Sequence, residues 1–99
     1  MGTKSEVREK CNLKIKIPKQ YIVVMHNDDF TPMDFVVDIL MNIFQKSYED
    51  AVRIMMEIHK GTRGVVGVYS YDIAQSKSEK AMSLAREEGY PFRITVEEG

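Results

Sequence analysis

The distribution of hydrophobic and polar positions predicts three β-strands. Residues 20–26 (QYIVVMH) and 64–71 (GVVGVYSY) are rich in the β-branched and aromatic side chains that buried strands favour. Residues 92–97 (FRITVE) alternate strictly between apolar and polar side chains, which is typical of a strand with one face against a core.

The segments between these strands carry helix signals. We predict a first helix that begins with an N-cap at Thr31, has Pro32 at its first helical position and ends near Phe44. Ser47 is the predicted N-cap of the second helix, and Gly61 ends it.

A long third helix is predicted over residues 72–88, with Gly89 at its end. The element order is therefore β-α-α-β-α-β. This order predicts an α+β fold, a small α/β sandwich in which a three-stranded antiparallel sheet packs against three helices. Residues 20–99 form the predicted core domain, and the polar, basic residues 1–19 form a predicted flexible N-terminal arm.

The first predicted helix is unusually apolar. Its polar side chains Asp34, Asp38 and Asn42 are spaced by four and form one narrow stripe, whereas a helix on a protein surface normally has a broad polar face. Two interpretations are open. The helix lies between the sheet and a neighbouring helix, or part of its apolar surface is open to a partner.

Composition narrows the class of protein. The chain has 99 residues, of which 43% are hydrophobic, so we expect one small core. A net charge of -1 does not indicate the basic surface expected of a nucleic-acid-binding protein. No apolar run is long enough for a membrane span. The single cysteine, Cys11, excludes an internal disulfide and suits a reducing compartment. We expect a cytoplasmic protein that binds neither nucleic acid nor membranes.

The segment HNDDFTPMDF, residues 26–35, is the main candidate for chemistry. The simplest interpretation is that Asn27, Asp28 and Asp29 build the turn before the first helix, which explains Asp28 best. A second is a metal site that uses these aspartates with His26 and His59. The residue types suit a metal, but no dense ligand spacing such as HExxH is present.

A third interpretation is a site for an ammonium group. An α-amine carries a positive charge and only N–H donors, so it needs about three acceptors, at least one of them negative. An Asn carbonyl, an Asp carboxylate and a neutral His nitrogen would supply this set. The spacing alone does not distinguish the three interpretations.

Three stretches resemble one known family. They are YIVVMHNDDFTPMDFVVDIL (21–40), MMEIHKGTRGVVGVYSYDIA (55–74) and REEGYPFRITVE (86–97). In these stretches the chain is similar to the ClpS family, the bacterial adaptors that bring N-degron substrates to the ClpAP protease. The resemblance implies a fold like the C-terminal domain of the ribosomal stalk protein. It also implies a monomeric binding protein without cofactor or metal, and not an enzyme.

The resemblance also implies roles for individual residues. Asn27, Asp29 and His59 would bind the free α-amine of the substrate, and Asp28 would contact its backbone. Met33 would reject β-branched first residues. The pocket for a bulky N-terminal Leu, Phe, Tyr or Trp would be lined by Met25, Thr31, Met33, Val36, Met55 and Ile58.

The partner implied by the resemblance is the N-domain of a ClpA-type or ClpC-type AAA+ unfoldase, which passes substrates to ClpP. Phe30, Asp72 and Lys77 would form the contact, and the arm would engage the unfoldase during delivery. Phe30 stands where many members have Tyr, and Asp72 where Glu is common. The alternative function is a ribosome-associated interaction domain of the same fold that does not bind N-degrons.

Overall fold

A computed structural model describes residues 19–99, so the predicted N-terminal arm, apart from Lys19, lies outside the described residues. The β-α-α-β-α-β order predicted from the sequence is confirmed. The elements are β1 (Gln20–His26), α1 (Met33–Asn42), α2 (Tyr48–Lys60), β2 (Arg63–Ser70), α3 (Tyr71–Glu87) and β3 (Arg93–Glu98).

The sheet is antiparallel and three-stranded, as predicted. Its strand order is β2-β1-β3, so the first strand of the chain is the central one. The pairing of β1 with β2 is irregular between Val23 and Val24, where a β-bulge shifts the register. The helices cover the face of the sheet that carries Val23 and Met25, both of which are wholly buried in the core.

The surroundings of α1 answer the question raised by its apolar sequence. Val36, Val37, Ile39 and Leu40 are all buried in the core, so most of the helix lies between other elements. Met33 at its first position differs, because 45% of its surface is exposed. The helix is therefore a core helix with one apolar side chain open at its N-terminal end.

The predicted N-cap of α1 was wrong by one residue. Pro32, in an extended conformation, occupies the cap position, and no side chain caps the helix. The Thr31 hydroxyl instead donates a hydrogen bond to the Asp28 carboxylate, so its side chain is held within the preceding turn and does not accept a hydrogen bond from the first turn of the helix. The helix ends at Asn42, two residues before the predicted end near Phe44.

The other helix ends follow the sequence signals more closely. The Ser47 hydroxyl accepts a hydrogen bond from the Asp50 N–H, and Gly61 is the C-cap of α2, as predicted. Helix α3 begins one residue earlier than predicted, at Tyr71, and Gly89 follows it with a φ of +79°, the left-handed conformation that glycine adopts readily. Within residues 19–99, no helix combines the length and apolar character needed to cross a membrane.

Candidate functional site

A cavity of about 380 Å³ opens where β1 ends, α1 begins and the last turns of α2 pass. Its volume falls within the range of roughly 300–1,000 Å³ that is usual for small-ligand sites. The cavity brings together most of the residues that the sequence predicted for substrate binding. The lining residues are Asn27, Asp28, Asp29, Phe30, Thr31, Pro32, Met33, Val36, Met55, Ile58 and His59.

Asp28 organises the turn that forms one wall of this cavity. Its Oδ1 accepts hydrogen bonds from the backbone N–H groups of Phe30 (2.8 Å) and Thr31 (2.7 Å). Its Oδ2 accepts the Thr31 hydroxyl proton at 2.7 Å. Partial burial would raise the pKa of the Asp28 carboxyl, but these three hydrogen bonds favour the charged form and hold its pKa below the ordinary value. The local interpretation of Asp28 as a turn residue therefore has direct structural support.

Asn27, Asp29 and His59 have different surroundings from Asp28. All three are exposed, and their side chains make no hydrogen bond or ion pair within residues 19–99. The backbone N–H of Asn27 donates to the Thr62 carbonyl oxygen at 3.0 Å, which ties the end of β1 to the segment after α2. This bond sets the turn beside the last turn of α2, where His59 lies. An amide, a carboxylate and an imidazole therefore face one cavity, and no other residue in the range 19–99 uses their acceptor atoms.

The opposite wall of the cavity is apolar. Val36 and Ile58 are buried and form its floor, whereas Met33 stands exposed at its mouth. Met55 lies one helical turn before His59 on α2, so an apolar and a polar group share that face. The arrangement suits a ligand that combines a cationic group with a bulky apolar one.

Met25 is the one predicted pocket residue that lies elsewhere. Its side chain is wholly buried in the hydrophobic core and is not among the residues that line the cavity. The strand pattern alone does not show that Met25 lies outside the lining of the cavity.

Gly64 supports the cavity in a way that the sequence analysis missed. A Cβ atom at this position would lie 2.7 Å from Cγ1 of Ile58, far inside van der Waals contact. The absence of a side chain lets β2 pack closely against α2 and keeps Ile58 in the cavity floor. A glycine inside an otherwise β-branched strand was the available signal for such a close approach.

The metal interpretation is not supported by the geometry. His26 faces the outer side of the sheet, where its Nε2 is 2.8 Å from the Thr95 hydroxyl, and it does not line the cavity. Burial, with help from Arg93 and Arg63, lowers the pKa of His26. Across the described part of the chain, no three His, Cys, Asp or Glu side chains are grouped closely enough to hold an ion.

Phe30 and Asp72, two of the three residues predicted for the unfoldase contact, lie at opposite ends of the sheet. Phe30, 76% exposed, follows the C-terminal end of β1. Asp72 follows β2, whose last residue pairs with Gln20 at the other end of β1. The length of β1 separates these ends by about 20 Å, so a partner that contacts all three must extend along the molecule.

Lys77, the third of these residues, has intramolecular partners. Its Nζ donates to the carbonyl oxygen of Ile43 at 2.7 Å and to the side-chain oxygen of Gln45. The same nitrogen lies 6.0 Å from the centre of the Phe44 ring. Lys77 therefore connects α3 to the C-terminal end of α1. It has this structural role whether or not it also contacts the unfoldase.

Comparison with known proteins identifies the family of this chain. Residues 16–95 match the model of the family described as ATP-dependent Clp protease adaptor protein ClpS. This chain belongs to the ClpS family. It is 45% identical to the ClpS adapter of Acetivibrio thermocellus over 97 residues, covering 98% of both chains. It is 44% identical to the ClpS adapter of Clostridium acetobutylicum over 100 residues, covering 99% of both.

A solved ClpS structure shares the fold. The chain superposes on Agrobacterium tumefaciens ClpS2 bound to L-phenylalaninamide with a TM-score of 0.81 and 38% sequence identity, covering 84% of this chain and all of the other. ClpS proteins are adaptors of the Clp protease, so this chain is an adaptor and not an enzyme. Its partners accordingly include a Clp ATPase and the proteins delivered to it.

Proposed function

We propose that this adaptor binds proteins whose N-terminal residue is Leu, Phe, Tyr or Trp and delivers them to a ClpA-type AAA+ unfoldase for degradation by ClpP. The proposal rests on one observation: the cavity has a polar wall on one side and an apolar wall on the other. Three acceptor side chains without intramolecular partners among residues 19–99 face an apolar floor and mouth. An N-terminal residue has the matching pair of groups, an ammonium and a side chain on adjacent atoms.

The polar wall matches the hydrogen-bonding needs of an α-amine. An ammonium group offers three N–H donors. The Asn27 side-chain oxygen, the Asp29 carboxylate and the neutral form of His59 each offer an acceptor, and Asp29 supplies the opposite charge. Asp28 builds the turn through three hydrogen bonds, and its Oδ2, which accepts only one of them, is the acceptor that would contact the substrate backbone.

The bound molecule of the relative supports this assignment. L-phenylalaninamide, present in the Agrobacterium tumefaciens ClpS2 structure, has a free α-amine next to a benzyl side chain. It therefore represents the first residue of a chain that begins with Phe. With 38% identity between the two proteins, we expect the same class of ligand in this cavity.

Two free-energy contributions set the expected selectivity. Burial of a Leu or Phe side chain contributes roughly 1.5–3 kcal/mol. Removal of one member of a buried charged pair costs about 2–5 kcal/mol, because the other member loses its partner. Blocking the amine should therefore harm binding at least as much as shortening the first side chain to Ala.

Fluorescence anisotropy tests the proposal directly. A peptide that begins with Leu should bind at least about thirtyfold more tightly than its N-acetylated form. Asp29→Asn should weaken binding of the free peptide by about tenfold or more. Glu79→Gln, an equal loss of charge at an exposed position of α3 away from the cavity, is the matched control. Equal affinity for the free and acetylated peptides would refute the proposal.

Delivery to the unfoldase is the second half of the proposal. We propose that Phe30 contacts the N-domain of the unfoldase, because it is the most exposed large hydrophobic side chain of residues 19–99. Asp72 would contribute from the far end of β1, and Lys77 from α3. We further propose that the adaptor acts as a monomer in the cytoplasm. Binding of the isolated N-domain to Phe30→Ala, compared with wild type and measured without peptide, tests the contact. Because Phe30 also lines the substrate cavity, the affinity of the same variant for the Leu peptide is measured alongside and should change little.

A further inference from the structure

A second groove runs between α1 and α2 beside the substrate cavity. It has a volume of about 340 Å³, and Met33 and Met55 line both it and the substrate cavity. The two spaces are therefore neighbours that share one wall. Val37 and Val52 complete an apolar floor on the far side of that wall.

The rim of this groove is acidic. Asp34 and Asp38 line it from one side and are both exposed. Within residues 19–99, Asp34 accepts only the neighbouring Phe35 N–H, and Asp38 makes no hydrogen bond. No Lys or Arg of these residues lines the groove, and neither carboxylate has an ion-pair partner among them.

The opposite rim carries an aromatic ring. Tyr48, the first residue of α2, is 64% exposed and lines the groove. A guanidinium group stacks well on such a ring, and the aliphatic part of an Arg or Lys side chain packs on apolar surfaces. An apolar floor, two carboxylates and an aromatic ring together match one side chain, a long basic one.

The repeat of an extended peptide determines which residue reaches this groove. Successive side chains point to opposite sides, and each residue advances the chain by about 3.3 Å. Residues one and three therefore project towards the same surface, roughly 7 Å apart. If residue one fills the substrate cavity and the peptide leaves it across the wall formed by Met33 and Met55, residue three lies over the α1–α2 groove.

We propose that the α1–α2 groove is a specificity subsite that favours Arg or Lys as the third residue of the substrate. This inference rests on the proposed function, because the first residue must occupy the neighbouring cavity. Recognition then extends past the N-terminal residue, and substrates with the same first residue differ in affinity.

Full-length protein and C-terminally labelled peptides test the subsite by fluorescence anisotropy. Leu-Ala-Arg peptides should bind roughly three- to tenfold more tightly than Leu-Ala-Ala peptides, and Leu-Ala-Glu peptides less tightly than either. Raising the salt concentration should reduce the difference, because the carboxylates are exposed. Leu-Arg-Ala peptides, with the basic residue at position two, should show little of the gain.

Variants assign the effect to the groove. Asp38→Asn, and more strongly its combination with Asp34→Asn, should remove the preference for Arg at position three and leave the affinity for Leu-Ala-Ala unchanged. Glu79→Gln removes an equal charge outside the groove and should keep the preference.

The outcomes separate the subsite from the proposed function. Tight binding of Leu-Ala-Ala without a gain from Arg would overturn the subsite alone. A gain that is equal at positions two and three, or that persists in the double variant, would also overturn the subsite alone. Failure of every Leu peptide to bind would overturn both.

Discussion

Asp28 and Asp29 are adjacent in the chain, but their carboxylates have different surroundings. Asp28 accepts three hydrogen bonds from its own turn, whereas Asp29 makes none within residues 19–99. At the scale of the residue, we therefore assign Asp28 to the construction of the site and Asp29 to the ligand.

A stability measurement distinguishes these roles. Asp28→Ala should lower the free energy of unfolding by about 1–3 kcal/mol, because two N–H groups and a hydroxyl lose their acceptor. Asp29→Ala should leave it almost unchanged while it weakens binding of the Leu peptide. Urea denaturation at neutral pH measures both, and equal stability of the two variants would contradict the assignment.

The Asp28 contribution should also depend on pH. The pKa of its carboxyl is lower in the folded protein than the ordinary value of 3.8. The stability it provides is therefore fully present above pH 3.8 and is lost as the pH falls through the lowered folded value. The difference between wild type and Asp28→Ala should accordingly shrink in acid.

Met33 is the residue whose exposure best fits selection at the cavity mouth. It is half-exposed and stands between the cavity and the α1–α2 groove. Met33→Ala should improve binding of peptides that begin with Ile or Val by about tenfold relative to Leu, since room opens for a branched Cβ. Met56→Ala, outside the cavity, is the control. An unchanged ratio in the Met33 variant would show that other groups exclude branched residues.

At the scale of the element, the C-terminal end of α1 depends on α3. Gln45 has a φ of +53°, an uncommon conformation for a residue with a side chain, and Lys77 binds both its side chain and the Ile43 carbonyl. The connection between α1 and α2 is therefore held by a residue from a distant part of the chain.

Replacement of Lys77 tests this connection. Lys77→Met keeps the aliphatic stem but removes the donor, so we expect a loss of about 1–2 kcal/mol in unfolding free energy and a lower Tm. Lys80→Met, at an exposed position of the same helix, should have almost no effect. Affinity for the Leu peptide should stay the same, because the cavity lies at the other end of α1. Equal Tm values for the two variants would mean that the Lys77 contacts contribute little.

At the scale of the whole molecule, packing between the sheet and α2 shapes the cavity. Gly64 allows β2 to approach Ile58, which forms part of the cavity floor. Gly64→Ala should lower stability by about 1–3 kcal/mol through overpacking and should also weaken binding of the Leu peptide. A variant with normal stability and affinity would show that β2 and α2 can move apart without a measurable cost in free energy.

Gly67→Ala is the matched control for this substitution. The three atoms nearest to an added Cβ at Gly67 would all belong to the Tyr69 side chain, with the phenolic oxygen nearest at 3.0 Å. A side-chain tip moves more easily than a packed Ile58 branch, so we expect a smaller loss of stability and no loss of affinity. The comparison isolates the cavity effect from the general cost of altering a strand glycine.

The sequence by itself determined the element order, most helix ends and the residues of the turn between β1 and α1, whereas only the resemblance to a family implied that Met55, Ile58 and His59 belong to the same site. These features depend on periodicity, caps and a motif contained in short stretches, and neighbouring residues in a turn remain neighbours in any fold. Ser47 begins its helix, and Gly61 and Gly89 follow the ends of theirs, where the local signals placed them. The Thr31 signal failed because Asp28 holds the Thr31 side chain in the turn and Pro32 occupies the cap position.

Only the tertiary structure decided which of these residues remain available to a ligand. Met25 and Met33 look alike in sequence, but one is wholly buried and the other stands at the cavity mouth. Lys77 and Gly64 acquired their roles through contacts with residues far away in the chain or on another layer. The proximity of the α1–α2 groove to the cavity likewise arises from helix packing. Exposure and contact between distant residues depend on how elements pack in three dimensions, and local sequence patterns carry no measure of that packing.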